Sequence, residues 1–435
     1  MDPEIEKDLK SLTKSLHAIN LSLRNRLLSI LKDAKYVKEV KQKFPDYPLI
    51  PNDRCGRWYV DPIEYDGKWM PSYFKSTDGH TNEWSFSTRR LNLHILKQVR
   101  ETKGILIVDS TRRGKKIPDS FSKTIPIWIA IMNKYIAPDK SYDELLFTPD
   151  DTVSNYERDR ILERLPHFQS EMNKYKDLVI DNVVDPNENG LLRPYWVYPG
   201  CRRLEIEQGC LPVILVSASQ RSLDGENKME GYTYVQGAGD DHELWGRGLT
   251  SQMFWGNINE FSDIYRINDE EVDEMVSKIV KGDQNSVEVE TFNEVFKAIV
   301  EISPTLHFGK VDKNLTVGEI NANYDTMVIL DSTFKLIEPS KKVHIFPLDS
   351  GSKKSAKELR TYLPQIIPLI KGRTLVACND GEDMSVAVVL SYMNIHTPRS
   401  ERSKETIRRS LISLLQYRKV NPQRATLTSV NSFLL

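Results

Sequence analysis

The residues best equipped for chemistry fall in two short loops of a single stretch, KSTDGH (Lys75–His80) and DSTRRGKK (Asp109–Lys116). Both combine hydroxyls, a carboxylate, a glycine and cations, a mixture suited to phosphate or pyrophosphate. Ser76, Thr77, Ser110 and Thr111 can bond phosphoryl oxygens together with backbone amides, and Gly114 lets the backbone come close. Lys75, Arg112, Arg113, Lys115 and Lys116 can neutralise the charge. Asp109 stands where it could hold a magnesium ion bridging the same phosphates. A third loop, YVQGAGDDHELW (Tyr234–Trp245), sets Asp240 and Asp241 beyond a glycine turn that would let their oxygens converge on one cation. The competing reading of each loop is a solvated charged turn, the usual fate of charge runs.

Loops of this kind need rigid elements behind them. Ile105–Val108 lies between Gly104 and the turn opened by Asp109, and so reads as a buried strand. The VILV within Leu211–Thr250 reads as a second, again ending in hydroxyls, Ser217 and Ser219. For IPIWIAIMNKYI (Ile125–Ile136), periodicity does not decide between buried helix and strand. Residues from about Ile5 to Val40 repeat apolar side chains at helical spacing, which predicts one or two amphipathic helices ended by FPDYPLIPN (Phe44–Asn52). RCGRWY (Arg54–Tyr59) follows, with a Trp-Tyr pair read first as core and second as a stacking surface. The stretch Ser141–Lys176 is charged and mostly helical, Asp181–Gly190 has turn composition, and the acidic stretch Asp263–Ser303 reads as helical scaffold or linker.

At 435 residues the chain is long enough for two or three domains, with an ordinary soluble composition. Four scattered cysteines with no CxxC pair argue against a zinc site or a disulfide framework. No apolar run approaches the roughly 20 residues a membrane helix needs, and the acidic start MDPEIEKDLKSL is unlike a targeting peptide. The expectation is a cytoplasmic protein without membrane association. The net charge of −1 gives no global pull towards nucleic acid, but Arg89 to Lys116 is locally basic and could face RNA.

The chain beyond about residue 300 alternates strands and helices as an α/β domain, so the expected division is 1–300 and 301–435. RTLVACNDGEDMSVAVVLSYM (Arg373–Met393) resembles the cysteine phosphatase signature of the dual-specificity type, where a strand delivers C-x5-R to a helix N-terminus. The corresponding cup is Cys378, Asn379, Asp380, Gly381, Glu382, Asp383, Met384 and Ser385, and Asp349 stands roughly at the general-acid position. The departure is Met384, where the signature has its arginine. Without that fork, and with Glu382 and Asp383 adding repulsion, phosphatase turnover is not expected.

Taken in order, YFKSTDGH, FSTRRLNLH, VDSTRRGK, IPDSFSKTIPIW, YVQGAGDDHELW and NPQRATLTSVNSFL resemble the initiator-tRNA phosphoribosyltransferases of fungi and plants, from about Arg54 to Leu435. The resemblance implies an enzyme with a mixed α/β N-terminal domain and a C-terminal dual-specificity-phosphatase-like α/β domain. It implies transfer of a 5-phosphoribosyl group from phosphoribosyl pyrophosphate to the 2′-hydroxyl of a T-stem purine nucleotide in initiator tRNA. Magnesium is implied by the pyrophosphate leaving group. Residue chemistry then assigns roles: the DSTRRGKK cations and hydroxyls to pyrophosphate, and Asp109, Asp240 and Asp241 to the metal. Asp78 and His80 are the candidate bases for the acceptor hydroxyl, with His94 and His242 in reserve, and Asp109 is counted with them as catalytic. Lys75, Arg89 and Arg90 would take the ribose 5-phosphate or the tRNA backbone. The alternatives are a catalytically dead phosphatase-like scaffold that binds RNA or phosphoprotein, and an active phosphatase in which Arg402 or another remote arginine substitutes.

Overall fold

The computed structural model describes residues 20–65, 68–112, 114–183, 190–202, 204–285, 296–311, 316–317, 323–336 and 340–435. Two compact units divide the chain, Met1–Asp283 and Gln284–Leu435. The division falls before residue 300 because strand β7 (Phe296–Ser303), expected to be helical, pairs antiparallel with β8 (Leu306–Val311) in the second unit.

The first unit is built on a fully parallel sheet of four strands, β1 (Leu49–Pro51), β2 (Ile105–Asp109), β3 (Leu192–Val197) and β4 (Leu211–Ser217), in the order β1-β2-β4-β3. Every residue of β1, β2 and β4 is buried, which explains why β2 and β4 read as unbroken apolar runs rather than alternations. Parallel neighbours need long crossovers, and these supply the helices. Helix α2 (Leu93–Thr102) joins β1 to β2. The ambiguous apolar run becomes α3 (Ile125–Ile136), buried over Ile125–Asn133 and so apolar nearly all round. Helix α1 (Leu23–Lys43) starts at Ser22, whose side chain accepts from the Asn25 amide, and buries Leu27, Leu28 and Ile30. It is tied to the hairpin strands β5 (Glu226–Met229) and β6 (Tyr232–Val235) by hydrogen bonds from the Val235 amide to Ser29 and from the Tyr234 hydroxyl to Asp33.

In the second unit the sheet order is β10-β9-β11-β8-β7, where β9 is Thr326–Leu330, β10 Val343–Phe346 and β11 Thr374–Cys378; all pairs but β7–β8 are parallel. Among the described residues, four α-helices accompany it: α4 (Lys353–Ile366), α5 (Met384–Ile395), α6 (Lys404–Leu414) and α7 (Arg424–Leu434). Their apolar faces share one core with Leu330, Val376, Cys378 and Met384. The expected pairing of a mixed α/β unit with a phosphatase-like α/β unit holds. No helix among the described residues is long and apolar enough to cross a membrane.

Candidate functional site

In open parallel sheets, ligands bind beyond the carboxyl ends of the strands, and the loops expected to carry chemistry gather at that edge of the first unit. Asp109 closes β2, opposite Ser217 of β4. Its carboxylate is fully buried and accepts from Asn52 Nδ2 (2.9 Å), Ser120 Oγ (2.9 Å), the Ser110 amide (2.9 Å) and the Cys55 thiol (2.8 Å), with Arg54 Nε at 3.7 Å. Burial pushes the Cys55 thiol well up, so it stays a neutral donor. Asn52 in turn bonds the Phe74 amide and carbonyl and the Ser72 hydroxyl. One carboxylate thus fastens four segments, including the approach to KSTDGH. Its oxygens are taken by protein donors away from solvent, so Asp109 organises the site instead of presenting itself to a metal or substrate.

The glycine loop closes on DSTRRGKK from the other side. Gly237 has φ +69° and lies so close to Thr111 and Arg112 that a Cβ would sit 2.9 Å from each. Arg112 donates to Asp240 Oδ2 (2.6 Å) and lies 2.8 Å from Asp241 Oδ2, while Arg54 holds Asp240 Oδ1 at 3.2 Å and donates to the Ser110 carbonyl. Burial lowers the Arg112 guanidinium, but Asp240 and Asp241 more than offset this and raise it. Its side chain remains 54% exposed and Asp241 47%, against 7% for Asp240, so the pair opens to solvent at Arg112 and Asp241. Tyr59 bridges the loops, accepting from the Gly239 amide and the Ser110 hydroxyl. Trp58 and Tyr59 are both 1% exposed, which makes them core and removes the stacking surface.

The two lysines of the loop diverge. Lys115 turns to Asp119 (2.7 Å), and Lys116 turns outward to Asp151 (3.1 Å) over the Tyr198 ring. Ser110 and Thr111 are buried, and Arg113 lies outside the described residues. Among the described residues of DSTRRGKK, Arg112 therefore turns to the acids of the glycine loop, while Lys115 and Lys116 pair with acids elsewhere. Ser217 Oγ, buried at the end of β4, has no hydrogen-bond partner among the described residues, and neither does Ser76 Oγ. Nor do those residues hold any group of three histidines, cysteines or acids fit to cage a metal.

A recess lies alongside, lined by Tyr73, Phe74, Phe86, Trp128, Asp78 and Arg90, with Ser85, Ser87 and Thr124. Asp78 accepts from Ser85 Oγ (3.3 Å), and Arg90 stacks 4.7 Å over the Tyr73 ring. Burial, then the charge of Arg90, lowers the Lys75 ammonium. The histidines separate. His80 is exposed, with Nε2 3.8 Å from Asp119; His242 packs against Trp58; Thr77 and Arg89 face solvent. His94 lies with Nε2 3.0 Å from the Pro71 carbonyl, outside the recess, and burial pulls its ring down to about 4. Of the candidate bases, only Asp78 lines the recess.

The cup of the second unit is already full. Asp380 Oδ1 accepts from the amides of Glu382 (2.8 Å) and Asp383 (3.1 Å) and from the Ser350 hydroxyl (2.8 Å), the kind of donor set a loop of this type offers a phosphate oxygen. Cys378 Sγ is fully buried, 3.1 Å from both Asp380 Oδ1 and Ser385 Oγ; burial, then the Asp380 charge, pushes the thiol up. Asp383 accepts from the Gly351 and Gln423 amides, Asn379 from the Ser350 amide, and Asp349 from Ser332. Met384 is fully buried in the core. Arg402 is spent on the carbonyls of Ile395, Thr397 and Leu434 and does not stand in for the missing arginine. The arginine that does come near is Arg418, against which a Cβ on Gly381 would lie at 2.8 Å.

Residues 16–281 match the family model described as the Rit1 N-terminal domain, and residues 342–434 the one described as the Rit1 DUSP-like domain. The chain belongs to the Rit1 family. It is 37% identical, over 497 aligned positions covering 100% of this chain and 96% of the relative, to the tRNA A64-2′-O-ribosylphosphate transferase of Saccharomyces cerevisiae (strain ATCC 204508 / S288c). An uncharacterised protein of Schizosaccharomyces pombe (strain 972 / ATCC 24843) is 32% identical over 469 positions, covering 99% of this chain and 98% of that protein. Among solved structures, the Yvh1 phosphatase domain from Chaetomium thermophilum is matched at 17% identity and TM-score 0.26, covering 31% of this chain and 95% of that one. The tyrosine phosphatase OH1 from the Orf virus is matched at 12% identity and TM-score 0.25, with coverages of 34% and 90%.

In this Rit1-family chain the loops singled out in the sequence gather at one edge, held by residues that the sequence did not single out for it. Asn52, Arg54, Cys55, Tyr59 and Ser120 carry the network around Asp109 and Asp240. The signal for the first two was faint, since β1 has only three residues and gives no periodicity.

Proposed function

We propose that the chain transfers a 5-phosphoribosyl group from phosphoribosyl pyrophosphate to the 2′-hydroxyl of a T-stem purine nucleotide in initiator tRNA, releasing pyrophosphate. The observation that carries this reading is Arg112, a half-exposed guanidinium held by two carboxylates at the carboxyl edge of a parallel sheet. The full-length identity to a transferase named for 2′-O-ribosylphosphate transfer to tRNA agrees with it.

In this reading the bond from ribose C1 to the pyrophosphate oxygen breaks, its electron pair leaves with the diphosphate, and the acceptor O2′ bonds C1. Arg112 swings from Asp240 and Asp241 onto the leaving oxygens, and Lys115 can follow from Asp119; charge stabilisation of this kind supplies much of a catalytic effect. Ser217 and Ser76 hydroxyls, which lack partners among the described residues, are candidate donors to the donor's phosphates. Asp78, in the aromatic recess beside Arg90, takes the proton from the 2′-hydroxyl. Magnesium, when bound, would neutralise diphosphate charge. Asp241 fits it best, since Asp109 is sealed by protein donors and both oxygens of Asp240 are held by arginines. Magnesium sites of one or two carboxylates completed by substrate phosphates are the usual arrangement.

The test is incubation of the purified chain with labelled phosphoribosyl pyrophosphate, magnesium and bulk tRNA. Label should appear on a single tRNA species and depend on magnesium. Absence of incorporation would reject the reading and favour a binding scaffold.

A further inference from the structure

Residues 353–435 contain fourteen lysines and arginines against six aspartates and glutamates, in a chain whose totals are 60 and 61. Three of those six acids, Asp380, Glu382 and Asp383, belong to the cup. Asp380 is held by loop amides, Asp383 is 2% exposed, and Glu382 lies 3.5 Å from Lys419. A fourth, Glu358, lies 3.8 Å from Lys354. Lys419 and Lys354 are offset by those two acids in turn, and the net excess of the segment is eight positive charges.

Geometry concentrates that charge at one end. Asp383 accepts from the amides of both Gly351 and Gln423, so the cup, the start of α4 and the start of α7 meet there. Exposed on the starts of those helices are Lys353, Lys354, Lys357 and Arg424, with Arg360 one turn further along α4. Lys353, Lys357 and Arg360, at i, i+4 and i+7, share one stripe. The opposite face of α4 is buried through Ala356, Leu359 and Leu363.

We propose that this basic end of the second unit docks the sugar–phosphate backbone of duplex RNA, using the rim around the cup and not the cup itself. The proposal rests on the tRNA substrate of the preceding reading. The cup is excluded because its amides already hold Asp380, and an entering phosphate would meet the charges of Asp380, Glu382 and Asp383 at close range. Lysines on long stems bind phosphates independently of sequence, which positions a duplex without reading it. A-form RNA is recognised largely in this way and through shape.

The experiment compares the full chain with a combined Lys353→Gln, Lys354→Gln, Lys357→Gln variant and with the matching Lys→Arg variant. Binding to tRNA is measured over a range of salt concentrations. Neutralisation should reduce the slope of log K against log salt by about 2 to 3, near one for each phosphate no longer neutralised. It should raise KM for tRNA, leaving KM for phosphoribosyl pyrophosphate and kcat in place. The Lys→Arg variant should bind as the parent does, which separates charge from folding. Unchanged tRNA affinity and slope in the Gln variant would overturn the proposal. If the parent binds tRNA through the rim yet transfers no phosphoribosyl group, the preceding reading fails and this one stands.

Discussion

The loop after β2 and the loop after β11 begin alike. In each, a five-residue, fully buried parallel strand delivers a polar side chain, Asp109 or Cys378, to a turn containing a glycine at positive φ. They part over where the counter-charge comes from. Arg112 is matched by Asp240 and Asp241, which lie far along the chain on a separate loop. An anionic ligand can replace those carboxylates by moving one exposed side chain. In the second loop the anion is Asp380, two residues from Cys378, and its donors are amides of the same turn. It cannot leave without rebuilding the loop. A charge matched from across a cleft is exchangeable, and one matched from within a turn is part of the backbone's own structure.

The largest effect should come from removing what the first loop is built on. Asp109→Ala strips the acceptor from Asn52, Ser120, Cys55 and the Ser110 amide and removes one of the two carboxylates beside Arg54. Breaking a buried charged cluster from one side costs about 3–5 kcal/mol. Thermal unfolding should show the first unit's transition falling while the second unit's stays, and phosphoribosyl transfer should vanish. A variant with parental stability would mean that Asp109 is not the fastening point.

Arg112→Ala tests exchangeability. Asp240 keeps Arg54 as a partner, so stability should hold, whereas loss of one charge stabiliser of the leaving group lowers kcat by about 10²–10³. Steady-state kinetics with varied phosphoribosyl pyrophosphate read this directly. Equal loss of stability and activity would make Arg112 a structural pin like Asp109.

Asp380→Ala tests the opposite property. It leaves the Glu382 and Asp383 amides and the Ser350 hydroxyl without their acceptor, a loss of about 1–3 kcal/mol. The vacated cup should then accept an oxyanion, so tungstate should raise the second unit's melting transition in the variant and not in the parent. A parent whose second-unit transition is raised by tungstate would show that the two loops are not different in kind.

These contrasts explain what could be read from the chain alone. Strands such as Ile105–Val108 and Thr374–Cys378 were legible because burial on both faces leaves an unbroken apolar run. The missing arginine at Met384 was legible because a motif fixes its own spacing. The partners of a charged loop were not, since nothing in DSTRRGKK says that Arg112 turns to Asp240 while Lys116 turns to Asp151. The sealing of the cup was half legible: Glu382 and Asp383 were expected to repel phosphate, but not that Asp380 takes a phosphate oxygen's place. Phe296–Ser303 was misread as helical because its strand character depends on pairing with Leu306–Val311.

The smallest effect, and the sharpest contrast with Asp109, is expected at Cys378. Both residues end a buried central strand, yet Cys378 holds nothing that a hydroxyl cannot hold. Serine is close in size and can donate to Asp380 Oδ1 or accept from Ser385, so the loop's hydrogen bonds survive. The thiol is pushed up by burial and by Asp380, so at neutral pH there is no thiolate to lose, and no arginine occupies position 384 to bind a phosphate ester against it. Cys378→Ser should therefore change transfer by less than about twofold and stability by less than about 1 kcal/mol. Neither form should hydrolyse a generic aryl phosphate. Hydrolysis by the parent that disappears in the variant would restore the second unit to the phosphatases and break the comparison, because the cup would then have to open in a way that Asp380, fixed by two amides of its own turn, does not permit.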